Sequence, residues 1–461
     1  MFAAAVASVA AISASLSPQV AGAPAVSGAT GVAGWSQPAT LGGCAGNEAP
    51  WTVFPSDRPD HATGAGAIVW SSGRRCPGGA RVLVAAVGPA DRPAAATPLH
   101  TASGRRIALR GPLAVAGGPY GQIVVAGFAP TGPAQGAFTQ GTAGRWFTPA
   151  ALTTRPATPT ALASAYLGDV ALGSAIDGTR ARTGISLRVE RHHASGFAVR
   201  GPLSGAGAGR VQSLRVALDY RSDALLVWWQ RGALYARELP ASGSAHAPER
   251  LASSGPDVRI AAVISDDDRA VVAWAATRGS ETSVYLDSSV PGVRFHRPRL
   301  LERFSDPGGL RSPSASPSLV RLSSEGVLLA WAGAEAGRWV VRTAPVDLDG
   351  VRRVSTIPTP GAEALLAALA PGPGGEALAL WTEPQLTPQG GAELSRQAIF
   401  AARGVDAYPG MSIFGAPQQV AAPGPNSDPT VAFDPDSDRA LAVWRGAGGA
   451  IEYALGPSRQ R

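Results

Sequence analysis

One phrase recurs along this chain and limits what it can fold into. Val431 to Trp444 reads VAFDPDSDRALAVW: an apolar strand, an Asp-rich turn, and a second apolar strand closed by tryptophan. Val216 to Trp228 (VALDYRSDALLVW) and Val263 to Trp274 (VISDDDRAVVAW) repeat it, and looser copies end at Trp331 and Trp381. A hairpin repeated at a steady interval predicts an array of like units, none of which buries its apolar face alone. It speaks for architecture before chemistry.

Each copy is followed by two further strand-like segments separated by Gly, Pro, Ser or Asp turns. After Trp228 these are Ala233 to Leu239 and Pro248 to Ala252; after Trp274, Ser283 to Asp287 and Arg294 to Leu301. After Trp331 they are Trp339 to Pro345 and Val351 to Ile357; after Trp381, Gln397 to Arg403 and Ala416 to Ala421. Less regular units begin near Trp51, Ala114 and Leu162. From Trp70 to Trp444 the spacing averages about 53 residues per unit, suited to four short strands with moderate loops.

The last unit is one strand short. After Trp444 only Ala450 to Leu455 reads as a strand, whereas Trp35 to Leu41 (WSQPATL) precedes the first full unit and reads as a fourth strand. An N-terminal strand completing the last unit would close the array and leave no exposed edge.

With this grammar the chain resembles exported bacterial β-propeller repeat proteins, distantly sialidase-like and lectin-like. The resemblance covers residues 34–456 and rests on the order of strands within each unit. The Asp-box of sialidase blades, S/T-x-D-x-G-x-x-W, has its nearest match at Ser323-Ser324-Glu325-Gly326 before Trp331, with Glu for Asp and a different spacing to the tryptophan. The implied fold is all-β, a closed propeller of four-stranded antiparallel blades: eight, or seven if two front units merge. In the order implied, residues 1–23 are signal-like, 24–33 a linker, 34–456 one propeller domain and 457–461 a tail.

Composition fits. Gly (57) and Pro (40) are too frequent for long helices. All forty basic residues are arginine, and a net charge of +7 without a basic run longer than two speaks against nucleic-acid binding. The apolar start FAAAVASVAAISASL followed by Ala21-Gly22-Ala23 has the pattern of an export signal without its positive n-region. It is too short for a confident membrane span, and no other 18-residue window is continuously apolar, so no span is expected in the mature chain. Cys44 and Cys76 suit a disulfide in an exported, extracytoplasmic protein. Leu41 to Cys44 also resembles a lipobox, but polar residues separate it from the apolar run.

The propeller resemblance sorts the polar residues. Turns between first and second strands lie on one face; loops between second and third strands lie on the other, where ligands usually sit. Cys44 and Cys76 fall on that second face, with Trp229, Gln230, Arg231, Arg278, Glu281, Glu335, Glu383 and Arg445 as ligand-face candidates. Thr382 to Arg396 is the longest loop there, and a long loop is where function is usually added.

The aspartates of the phrase are expected to do turn chemistry. Asp434, Asp436 and Asp438 alternate as in a calcium loop, but Arg439 stands where glycine is required, so no metal is expected. The terminal tryptophans, and Tyr235, Tyr285, Phe400 and Tyr453 on third strands, are expected to pack between blades. His192-His193 reads as a surface turn and Gly205 to Gly209 as a connection between units. No GxSxG, HExxH, P-loop or GxGxxG motif occurs, so no catalytic residue and no cofactor is assigned. The expectation is a monomeric binding protein for a carbohydrate, peptide or envelope partner. The alternative is a glycoside-acting enzyme using Glu281, Glu335 or Glu383.

Overall fold

The structure is a computed structural model. It describes residues 34–457 apart from short stretches, the longest being 55–65, 201–210 and 306–315. The expected signal segment, the linker, all but the first residue of the tail, His192-His193, Gly205 to Gly209, Ser323 to Glu325 and Asp436 with Asp438 lie outside the described residues.

Among the described residues the strands form eight antiparallel sheets, numbered here by the order of their first strands. Their first strands are Trp51–Val53, Arg110–Gly117, Pro156–Ser164, Val211–Leu218, Asp257–Ile264, Ser318–Arg321, Leu365–Pro371 and Ser427–Phe433. Within the first seven sheets the strands run in chain order, and sheet eight keeps that order for its first three, which is the order of propeller blades. Some outer strands are broken. Sheet six uses Gly350–Val351 and Ser355–Ile357 in place of one continuous strand, and sheet seven adds Met411–Phe414 before Gln418–Gly424.

The second strand of sheet four shows why such a sequence makes such a layer. Ala224–Gln230 (ALLVWWQ) is buried at every position. Alternate side chains of a strand point to opposite faces. Leu226 and Trp228 join Ala171 and Ala175 of sheet three, while Leu225, Val227 and Trp229 join Ile260 and Val272 of sheet five. A strand packed between two neighbouring sheets must be apolar on both faces, so its sequence is a continuous apolar run.

The same logic links the other sheets. Trp444 packs with Leu378 and Leu380 of sheet seven, and Trp70 packs with Leu441 and Val443 of sheet eight. The terminal tryptophans therefore fill the gaps between neighbouring sheets, as the sequence predicts. Trp228 stacks on Tyr235 at 5.5 Å, Trp274 on Tyr285 at 5.4 Å and Trp381 on Phe400 at 6.1 Å. Tyr453 departs from this pattern. It opposes Val443, and Glu452 takes the place opposite Trp444.

The first strand of the chain, Ala39–Gly42, is the outer strand of sheet eight, with Ala39 opposite Tyr453. From there the chain crosses directly into sheet one. The Ala45 N–H donates to Gly449 O (2.7 Å) and the Gly46 N–H to Ser71 O (2.7 Å). On the inner strands, Thr52 and Thr430 share a hydroxyl hydrogen bond of 2.9 Å. The Cys44–Cys76 disulfide spans the same junction, with the two Cα atoms 5.5 Å apart. No helix among the described residues is long and apolar enough to cross a membrane.

Candidate functional site

The eight ligand-face candidates stand at or beside the hairpins between second and third strands of sheets four to eight. They share an end of the sheets, but most are engaged by neighbouring residues instead of facing one common space. Trp229 is 1% exposed and belongs to the apolar layer between sheets four and five. Once Trp228 faces sheet three, its neighbour on the strand must face the other way. Gln230 is buried as well and lies beside Trp228, whose Nε1–H donates to Gln230 Oε1 at 3.3 Å.

Arg445 is a clamp. It donates to Gly46 O at 2.7 Å and to Ser427 Oγ at 3.0 Å, and it pairs with Asp428 at 2.7 Å. Glu281 pairs with Arg303 at 3.6 Å and Glu335 with Arg342 at 3.3 Å. Arg231 and Arg278 are exposed beside tight turns whose left-handed positions include Arg231 (φ 54), Gly232 (φ 69) and Gly279 (φ 64). Two-residue hairpins of this kind need such positions and leave no long loop.

Thr382 to Arg396 is likewise not one long loop. Glu376–Leu386 and Ala392–Ala407 extend it as a hairpin, with residues 387–391 outside the described residues.

Glu383 belongs to a repeated arrangement that the sequence reading missed. Its Oε1 accepts the Trp381 Nε1–H at 2.9 Å, while Glu452 Oε2 accepts from Trp444 at 2.9 Å and Glu302 Oε2 from Trp331 at 2.6 Å. The three glutamates come from a second strand, a third strand and the outer strand of the preceding sheet, so spacing in sequence hides the likeness. A glycine makes room each time. A Cβ on Gly361, Gly446 or Gly333 would lie 2.1, 2.3 or 2.4 Å from the glutamate oxygen. Burial is the main cause that pushes Glu383 up to about 7, against hydrogen bonds from Trp381 and Gly361 that lower it. These carboxylates hold tryptophans in place and are themselves held.

A polar concavity lies elsewhere, on the outer rim between sheets four and five. His246, Ala247, Pro248, Glu249 and Arg250 form one wall and Arg294 with Phe295 the other, around about 580 Å³. Glu249 is fixed as part of the frame, its Oε2 accepting the Phe295 N–H at 3.1 Å. His246 Nδ1 stands 3.6 Å from Glu238 Oε2, and Glu238 also accepts from Ser289 Oγ. Burial raises the Glu238 pKa above its ordinary value. Arg250 reaches Ser253, and Arg294 makes no ion pair among the described residues. Two exposed guanidinium groups beside a half-buried aromatic ring can take a ligand carrying both carboxylate and apolar surface. The two walls are outer-strand segments of different units, so no motif in the sequence marks them.

No protein-family model matches the chain, and no curated protein matches it. Among solved structures it is similar to the BP39L lectin from Burkholderia pseudomallei, at 15% identity over 80% of this chain and 98% of that one, TM-score 0.47. It is also similar to the WD40 domain of SCAP from fission yeast, at 9% identity over 92% and 98%, TM-score 0.44. A leech intramolecular trans-sialidase shares 9% identity over 84% and 81%, TM-score 0.35. Likeness at this level carries no function across. The β-propeller class rests on the strand order and packing of the chain itself.

Proposed function

We propose that this chain is an exported β-propeller binding protein that takes an acidic glycan in the cleft between sheets four and five. The observation that carries this reading is the pair Arg250 and Arg294 facing one concavity with Phe295. A guanidinium group offers a planar, forked set of donors to a carboxylate, and an aromatic ring offers an apolar face to a pyranose. With Glu249 committed to the Phe295 backbone and Glu238 tied to Ser289, the two exposed arginines favour an anionic ligand. The net charge of +7 favours it too. The disulfide between Cys44 and Cys76 supports an oxidising, extracytoplasmic setting.

Binding is preferred to glycoside cleavage. Cleavage needs two carboxyl groups roughly 5–10 Å apart across one bond. Here Glu281 and Glu335 sit in ion pairs in different sheets, and Glu383 is buried against Trp381.

A glycan array probed with purified protein tests the reading. Signal confined to uronate- or sialate-bearing glycans, and lost in Arg250→Ala/Arg294→Ala, is the expected result. Turnover of any glycan, or an unchanged profile in the double variant, would overturn it.

A further inference from the structure

The turns joining first to second strands in sheets four and five bring three carboxylates together. Asp219, Asp223 and Asp268 each place an oxygen within 4.8 Å of the others. Part of Asp219 does the turn chemistry expected of it, since Oδ1 accepts the N–H groups of Arg221 (2.9 Å) and Asp223 (2.7 Å).

The other oxygen is left over. Asp219 is 0% exposed, and its Oδ2 has no hydrogen-bond partner. Oδ1 of Asp268 is equally buried without a donor, while its Oδ2 pairs with Arg221. A buried carboxylate oxygen without a donor pays its desolvation uncompensated, so it needs a proton or a cation. Three carboxylates against one guanidinium leave two negative charges.

We propose that Asp219 Oδ2, Asp268 Oδ1 and a carboxylate oxygen of Asp223 bind one hard divalent cation, Ca²⁺ in the first instance, and so tie sheet four to sheet five. An all-oxygen donor set with neither imidazole nor thiolate selects Ca²⁺ or Mg²⁺ over Zn²⁺. Unlike a calcium loop read along one segment, this set is assembled from two turns 47 positions apart.

The test uses the full chain, stripped with chelator. Titration calorimetry with CaCl₂ should give one saturable site. At a hundredfold excess over the dissociation constant the melting temperature should rise by about 2–4 °C. Asp268→Asn leaves the turn-capping carboxylate of Asp219 in place and should weaken Ca²⁺ binding at least tenfold, and Asp219→Asn should abolish it. The proposal is overturned if no saturable Ca²⁺ site is found, if Asp268→Asn binds as the wild type does, or if Zn²⁺ binds more tightly than Ca²⁺. It is also overturned if Asp219→Asn raises the melting temperature while Ca²⁺ leaves the wild type unmoved, because the oxygens then share a proton.

Discussion

Arg445 donates to the carbonyl oxygen of Gly46 at 2.7 Å across 399 positions of chain, joining the last complete hairpin to the segment that enters the first sheet. The Cys44–Cys76 disulfide spans the same junction, and Ser427 and Asp428 hold the guanidinium from the other side. A residue that reads as a ligand-face arginine is instead a latch between the two ends of the array.

The latch can be measured. Arg445→Met removes a charge-assisted bond and leaves the Gly46 carbonyl without a donor, a loss of about 1.5–3 kcal/mol. Cys44→Ser/Cys76→Ser should cost about 2–4 kcal/mol. Both act on one junction, so the combined loss should differ from the sum of the two. Denaturant unfolding of the variants and their combination checks this, and strict additivity would mean that the two contacts act separately.

Glu302 on the outer strand of sheet five reaches under Trp331 of sheet six and accepts both its indole N–H (2.6 Å) and the Ala334 N–H (3.2 Å). Glu302→Ala strands two donors and should destabilise by about 2–4 kcal/mol. Glu302→Gln keeps an acceptor and should cost less. Gly333→Ala places a Cβ 2.4 Å from the carboxylate and should cost about 1–3 kcal/mol by overpacking. Chemical denaturation curves give the ranking, and equal losses for the Ala and Gln variants at 302 would contradict the hydrogen-bond account.

Glu383 sets a pH dependence. Its folded pKa lies near 7, above the ordinary 4.5, so the folded state holds the proton more tightly than the unfolded state. Its contribution to stability is full below about 4.5 and is lost as pH rises toward 7, at most about 1.4 kcal/mol per pH unit. Glu383→Gln should remove that slope while keeping an acceptor for Trp381. Unfolding free energies measured between pH 4.5 and 7.5 give the slope, and an unchanged slope in the variant would assign the effect to another group, Asp219 foremost.

The sheets were legible because each carries its own signal. ALLVWWQ is apolar throughout since both of its faces are covered, and the Arg231-Gly232 turn fixes the next strand two residues on. The stacking of Trp228, Trp274 and Trp381 on third-strand aromatics follows from that register. Tyr453 escaped the pattern because the longer Gly446 to Ala450 connection shifts its pairing by one position. Trp229, which reads as a ligand-face residue, faces sheet five because alternation along the strand sets it opposite Trp228. The cleft could not be read at all: Arg250 and Arg294 meet only when outer strands of two sheets lie side by side. The Trp–Glu pairs were hidden for the same reason, since Glu302, Glu383 and Glu452 reach their tryptophans from three different strand positions.

Titrating a uronate- or sialate-terminated oligosaccharide into wild-type protein and into Arg250→Ala/Arg294→Ala tests whether the rim cleft between sheets four and five takes an acidic glycan. Saturable binding to the wild type and affinity at least tenfold weaker in the double variant are expected, with both melting at the same temperature. Equal affinity in the two proteins would contradict it, as would a preference for the neutral form of the same oligosaccharide.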